Sequence, residues 1–309
     1  MTTVVVGADG FVGGALASAL GAAPVVFRAP RTSAEIPVED AGAVLAAARV
    51  VVNASGVRVR PGLGPADYRR THAEAVQRLV ARLSPGALLV QVSSASVLGR
   101  SPAASPRNDE AGSPETFGCP DYAVAERDAE RAARAAAAAR GVCLAILRPA
   151  ILYGREPDGM LGTLGAIAGH GLLLRLAPAR HRHHLCALPL LVEAVRTVAR
   201  RGEAIEPPLT VADPFFVTSG EVAAIGRELH RPRFSLPFPA GAAGEVLRRL
   251  PRSSSPRLDL RTWGEILCIL ALDTVYDPSE TYRLLEIDAS RFSRARTWER
   301  LARGLEAET

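Results

Sequence analysis

Lysine is missing from this chain: all 37 basic residues among its 309 are arginine. Codon bias in a GC-rich genome accounts for the general replacement, and the alanine-rich tracts fit the same cause. Other scarcities narrow the class. The four cysteines, Cys119, Cys143, Cys186 and Cys268, lie far apart and form no Cys-x-x-Cys pair. A zinc site or disulfide frame is therefore not expected, and reduced thiols in a cytoplasmic protein fit best. No apolar run nears the roughly 20 residues that cross a bilayer. The stretch Ile266–Leu272 reads instead as a core element or subunit contact. No positively charged segment precedes Val4-Val5-Val6, so no secretory leader is expected. Net charge is +5 with a pI near 9.4, but aromatics are only 5% and the arginines are scattered. That pattern argues against a nucleic-acid surface.

What is present alternates. Short apolar runs at Thr3–Val6, Val25–Phe27, Val50–Val52, Leu88–Val92 and Val142–Leu147 read as strands. Phe11–Leu20, Ala41–Ala48, Pro65–Leu83 and Tyr122–Arg140 carry helical spacing, the last stopping at Gly141. Strands alternating with amphipathic helices imply an α/β fold, a doubly wound parallel sheet with helices on both faces. After Gly154 the pattern loosens, and short helices are predicted at 189–201, 218–230, 240–250 and 290–304. The expected organisation is a dinucleotide-binding domain over 1–154 and a smaller substrate-binding lobe over 155–309. Residues 183–230 would return elements to the first sheet.

Gly7-Ala8-Asp9-Gly10-Phe11-Val12-Gly13 falls between the first strand and the first helix. Glycines there allow a tight turn and close approach of backbone to a pyrophosphate. The helix N-terminus offers free N–H groups and a positive dipole end. At the end of the second strand an acidic residue would suit the ribose of NAD. This chain has Arg28 and Arg31, whose guanidinium groups suit a 2′-phosphate. NADP is the expected cofactor, with NAD the alternative.

Further segments point the same way. Asn53-Ala54-Ser55-Gly56 ends the third strand and Ser93-Ser94-Ala95-Ser96 the fourth. Tyr122 follows Ser94 by 28 residues, Arg148-Pro149-Ala150-Ile151 ends the fifth strand, and Val211-Ala212-Asp213-Pro214 comes late. Together these resemble the extended short-chain dehydrogenase/reductase family, the NAD-dependent epimerase/dehydratase group. The resemblance implies a Rossmann domain under a small C-terminal lobe, and a homodimer built on the two long helices. It implies that Ser94 hydrogen-bonds a substrate oxygen, with Ser96 nearby, and that Tyr122 exchanges its proton. Ala54, Ser55, Gly56, Ser93, Pro149 and Ile151 would line the cofactor. The ring of Tyr153 reads as core.

Three departures surround that expected centre. Glu126 stands four residues after Tyr122, where the family has its lysine. His72 stands where the family usually has an asparagine. His183 and His184 stand where it has an arginine, and are expected on a substrate-closing loop as hydrogen-bond partners. Glu130, eight residues after Tyr122, keeps the family's glutamate. An ionised carboxylate on the tyrosine's face would raise the phenol pKa. Tyr122 would then be a poor base that can still donate, so reduction would suffer less than oxidation. Arg127 is turned about 100° around the helix and is a weak stand-in for the cation. His181-x-His183-His184 lacks a matching carboxylate or cysteine spacing, so no metal is expected. Three functions remain open. One is an NADP-dependent reductase or epimerase of a nucleotide sugar or natural-product intermediate. The others are a non-redox dehydratase, isomerase or cyclase on the same scaffold, and a catalytically silent dinucleotide binder.

Overall fold

The computed structural model describes residues 2–27, 35–100, 113–154, 171–253, 259–297 and 299. The first part runs β1 (Thr3–Val6), α1 (Phe11–Leu20), β2 (Ala23–Val26), β3 (Ile36–Pro37), α2 (Gly42–Ala47) and β4 (Val50–Asn53). It continues through α3 (Pro65–Thr71), α4 (Ala73–Val80), β5 (Leu88–Val92), α5 (Pro120–Arg140), β6 (Cys143–Pro149) and β7 (Ile151–Tyr153). Then come β8 (Leu172–Leu176), β9 (Arg182–Ala187), α6 (Leu188–Arg201), β10 (Ile205–Val211), β11 (Phe216–Thr218) and α7 (Ser219–His230). The chain closes with β12 (Phe234–Phe238), α8 (Ala240–Leu247), α9 (Leu260–Leu270) and α10 (Ser279–Leu285).

Seven strands form one sheet in the order β10-β6-β5-β4-β1-β2-β3, and every pairing in it is parallel. The valine runs explain this. A strand buried on both faces must be apolar at every position, and a parallel sheet covered by helices is where that occurs. Val5, Val52, Val90 and Leu147 face Leu16 of α1 and Leu190, Leu191 and Ala194 of α6. Their alternating neighbours Val4, Val51, Leu89 and Ile146 face Leu45, Val76, Val80 and Ala133 on the other side. Small sheets β11-β9-β7 and β12-β8 stand outside the large one.

Two sequence expectations change. The single helix over 65–83 is divided at His72 into α3 and α4, with His72 itself in a distorted right-handed conformation (φ −108°, ψ −77°). Of the helix expected at 290–304, residues 294–297 are helical, and 298 and 300–304 lie outside the described residues. The remaining helices and the first-half strands fall within a few residues of their expected limits. Helix α5 stops at Gly141, which takes the left-handed conformation (φ 64°) that favours glycine.

Beneath the sheet's carboxyl end lies a buried ion pair. Arg148 donates from Nε to Glu130 Oε1 at 2.9 Å and from a terminal nitrogen to Oε2 at 2.6 Å. Ser93 Oγ donates to the same carboxylate at 2.6 Å. This bidentate clamp fixes α5 against β5 and β6. Breaking one side strands a charge away from water, a change that costs about 3–5 kcal/mol. Arg148→Met should therefore lower the unfolding free energy by that amount in urea titrations at neutral pH. The double variant Glu130→Met, Arg148→Met should recover most of it, because the two changes act on one pair.

Candidate active site

The loop after β1 is shaped by what glycine lacks. Gly7 has φ +84°, and a Cβ there would sit 2.8 Å from the Ala54 carbonyl oxygen and the Ser55 backbone. A Cβ on Gly13 would sit 2.0 Å from the Gly7 carbonyl oxygen. The bare backbone thus lies directly against the end of β4, and α1 starts right behind it. Gly10 caps α1 without any side-chain hydrogen bond, so the first N–H groups stay available to an anion. Phe11 and Val12 form the helix's first turn and are partly buried. A Cβ on Gly154 would lie 3.4 Å from the Phe11 ring. This cradle fits the pyrophosphate of a dinucleotide. Arg28 and Arg31 lie outside the described residues.

From that loop one line of contacts runs to Tyr122. Asn53 donates from Nδ2 to Gln91 Oε1 at 2.8 Å and accepts at Oδ1 from the Ser55 backbone N–H and Oγ. Gly56 (φ +144°) presents its bare Cα to the His72 ring, which a Cβ would meet at 2.6 Å. His72 places Nδ1 3.4 Å from Glu126 Oε1, and its Nε2 lies 3.1 Å from the Val57 carbonyl oxygen. The rings of His72 and Tyr68 each meet the Tyr122 ring edge-on at 5.8 Å. Ser94, just past the end of β5, is near enough to Tyr122 to pull its phenol pKa down. Tyr122, Glu126 and Glu130 share one face of α5, as spacing by four dictates. Arg127 points elsewhere, to Glu115 at 2.6 Å.

The structure brings Ser94, Tyr122, Glu126 and His72 together, with Ala54, Ser55 and Gly56 beside them. The Ser93 hydroxyl is committed to Glu130. Ser94 Oγ accepts from the Ser96 backbone N–H at 3.2 Å. Ser96 is buried, and its own Oγ has no protein partner among the described residues. Pro149 ends β6, and Ile151 opens β7 opposite Leu185 of β9.

His183 and His184 are a correction. They sit within strand β9 rather than on a loop, both buried. Both His183 ring nitrogens are taken, by Thr274 and Ser219 at 3.1 Å each. His184 Nδ1 accepts from the Tyr276 backbone N–H at 2.9 Å. They are core histidines, because the β9 register turns successive residues into two covered faces. Tyr153 is buried too, its hydroxyl donating to Asp213 at 2.7 Å. Among the described residues no group of three or more His, Cys, Asp or Glu side chains could hold a metal ion.

Behind Tyr122 lies a network that sequence reading missed. Glu265 of α9 is 2% exposed. It accepts from Arg252 at 2.9 Å and from the Cys119 thiol at 3.4 Å. Arg252 also reaches Asp121, the residue before Tyr122, at 2.6 Å. Asp259 accepts from the Gly62 backbone N–H at 2.9 Å. The one available signal was a glutamate inside the apolar stretch Trp263–Leu270, which has to be paired if it is buried.

The electrostatics follow from burial and neighbours. Burial pushes the Tyr122 phenol well above its ordinary value, the Glu126 charge and hydrogen bond push it further, and Ser94 pulls it down. Burial opposes a charged His72. The Glu126 charge, its hydrogen bond and the Val57 carbonyl nevertheless hold His72 above the ordinary imidazole range. His183 and His184, where desolvation dominates, are lowered to about 4.

Comparison with known proteins places this geometry. The family model described as the NAD dependent epimerase/dehydratase family matches residues 3–169. No curated protein matches the chain by sequence. Among solved structures, MoeE5 in complex with UDP-glucose and NAD is 20% identical, with 100% of this chain and 99% of that one covered at a TM-score of 0.74. The human epimerase family protein SDR39U1 with NADPH is 16% identical over 99% of each chain, TM-score 0.75. The UDP-glucuronic acid 4-epimerase of Bacillus cereus, solved with UDP-glucuronic acid and NAD, is 14% identical over 100% of each chain, TM-score 0.72. At these identities the likeness is one of fold.

Two measurements check the electrostatics. Tyrosine-selective carbon NMR, with Tyr122→Phe for assignment, should show Tyr122 un-ionised at pH 10, and Glu126→Gln should bring its titration down. The buried histidines should make the fold acid-sensitive. An unfolded imidazole takes its proton near 6.5, whereas these hold out to about 4. The unfolded state therefore binds more protons in that window, and stability is lost as pH falls from 6.5 toward 4, by roughly 3 kcal/mol per histidine. Urea midpoints measured at intervals between those pH values should decline steadily. A flat profile would mean that the two rings are solvated.

Proposed function

The chain belongs to the NAD dependent epimerase/dehydratase family, and from that premise we propose a nicotinamide-dependent reductase or epimerase of a nucleotide sugar or related biosynthetic intermediate. The observation that carries this reading is the convergence of Ser94, Tyr122, Glu126 and His72 at the end of a line of contacts starting from the Gly7–Gly13 cradle. Residues 1–154 hold the cofactor, which supplies or accepts the hydride when bound. Residues 155–309 face the substrate. NADP(H) is the cofactor, on the strength of Arg28 and Arg31, and the protein works as a homodimer through the Pro65–Leu83 segment and the Tyr122–Arg140 part of α5. Relatives of the same fold support the class: MoeE5 holds UDP-glucose with NAD, and the human protein holds NADPH.

Within this reading Ser94 orients the substrate oxygen and Tyr122 gives it a proton. Glu126 takes the place of the family's lysine. A carboxylate there disfavours the phenolate, so the centre is biased toward proton donation and toward carbonyl reduction. Dehydration or isomerisation on the same scaffold is the second reading, favoured by the two carboxyl and imidazole groups that stand within reach of Tyr122.

Fluorescence titration should show tighter binding of NADPH than of NADH, with Arg28→Ala removing the difference. Equal affinities in the native protein would sink the NADP assignment. In a screen of nucleotide sugars and their keto forms, Glu126→Lys should raise alcohol oxidation, read by nicotinamide absorbance. If the non-redox reading holds, the same change should instead lower native activity by about 10²–10⁴-fold.

A further inference from the structure

We infer that His72 is a positioning residue that stores the proton Tyr122 spends, returning it through Glu126, so that an imidazole–carboxylate pair runs the proton supply of the centre. This deepens the functional reading above and rests on it. The geometry carries it. His72 Nδ1 lies 3.4 Å from Glu126 Oε1 with both side chains over 90% buried. Tyr122 lies on the same face of α5 four residues before Glu126, with its ring edge-on to His72 at 5.8 Å. Nε2 is tied to the Val57 backbone, which leaves Nδ1 as the nitrogen that can pass a proton. Backbone design agrees. The α3–α4 helix is interrupted at His72 itself, and Gly56 has no side chain where the imidazole sits.

The proton balance closes. When Tyr122 gives its O–H proton to a substrate oxygen, the His72 Nδ1–H bond breaks, the proton passes to the ionised Glu126 carboxylate, and Glu126 passes it on to the phenolate, ending ionised as it began. His72 is left as a neutral imidazole that takes a proton from water between turnovers. Run in reverse, neutral His72 is the final acceptor. The hydride is the business of the nicotinamide cofactor and does not enter this relay.

Among the described residues, the charged and titratable groups around His72 are few. Glu126 and Tyr122 face it from α5, and Tyr68 from its own helix side. Behind Tyr68 stand Cys119, Glu265 and Arg252, and Arg252 is held by Asp121 and Glu265. Glu126 is therefore the carboxylate in direct contact.

The test uses the full chain. Histidine-selective nitrogen NMR of the apoprotein, with His72→Asn for assignment, should show His72 titrating above 6.5 and retaining a proton on Nδ1. In Glu126→Gln that titration should fall by at least about one pH unit, because burial then acts unopposed. An unchanged titration would overturn the pairing. For turnover, native reduction should decline as pH rises through the measured His72 value. Both His72→Asn and Glu126→Gln should abolish that step and lower kcat at least tenfold, with KM for cofactor and substrate held within about threefold. A native pH profile in either variant would overturn the relay, as would loss confined to KM. Circular dichroism identifies a misfolded variant, in which case the other variant decides. If the native chain turns over no nucleotide sugar at all, the functional reading fails, while the NMR titration still decides whether His72 and Glu126 share a proton.

Discussion

A carboxylate taken out of water has to be met by a cation or a full set of donors, and α5 carries two of them one turn apart. Glu126 is 5% exposed and Glu130 is 3% exposed. The partners they require organise the rest. Glu130 draws in Arg148 from β6 and Ser93 from β5, which sets α5 on the carboxyl edge of the sheet. Glu126 draws in His72, which breaks the neighbouring helix and needs the bare Cα of Gly56 beside it. Gly56 follows directly on Ala54 and Ser55, the residues that pack against Gly7. The position of Tyr122 relative to the glycine cradle is thus a consequence of where two buried charges find their counterparts.

The three buried histidines make an internal comparison. All are shielded from water to a similar degree. His183 is bonded to two hydroxyls and His184 to a backbone N–H. There desolvation wins, and the rings are held neutral to about pH 4. His72 differs by one carboxylate in contact, and its shift has the opposite sign. At an effective dielectric near 20, a charge pair at such a distance gains about 4–5 kcal/mol, enough to outweigh a burial penalty of the size seen at the other two. In a chain with no lysine, a cation near the tyrosine has to come from arginine or histidine. Arginine is long and permanently charged, while histidine is compact and can give its proton up.

What the sequence disclosed and what it hid divide along physical lines. The parallel sheet was legible because doubly buried strands leave unbroken apolar runs, and the cradle because Gly7 and Gly13 occupy positions where any side chain would collide with backbone. The face shared by Tyr122, Glu126 and Glu130 followed from helix period alone. The division at His72 was not legible, since Pro65–Leu83 carries helical spacing throughout and the interruption coincides with a contact to Glu126 on another helix. His183 and His184 misled for a related reason. Three imidazoles within four residues resemble a polar loop, yet β9 alternates them between covered faces, and their partners Thr274, Ser219 and Tyr276 are remote in sequence. Glu265 left a signal as a glutamate inside an apolar stretch, but its partner Cys119 and the Asp121 that Arg252 reaches were invisible, because nothing local marks a contact between residues more than 100 apart.

That hidden network completes the constraint on α5. Arg252 binds Asp121 immediately before Tyr122, and Cys119, at the entrance to α5, donates to Glu265. Asp259, which caps the start of α9, accepts from the backbone N–H of Gly62 just ahead of α3. The helix pair α8–α9 therefore holds the starts of both helices that supply the centre, while Glu130 and Arg148 hold α5 further along. Tyr122 and His72 are fixed from below by the sheet and from the side by the later part of the chain. A shift of α9 would be felt at Asp121 and Gly62 together, because Arg252 joins Glu265 to Asp121 and Asp259 bonds Gly62 directly. The later part of the chain is thus joined to the starts of α3 and α5 through charged contacts, so Tyr122 and His72 are held from two sides in a chain where no lysine is present.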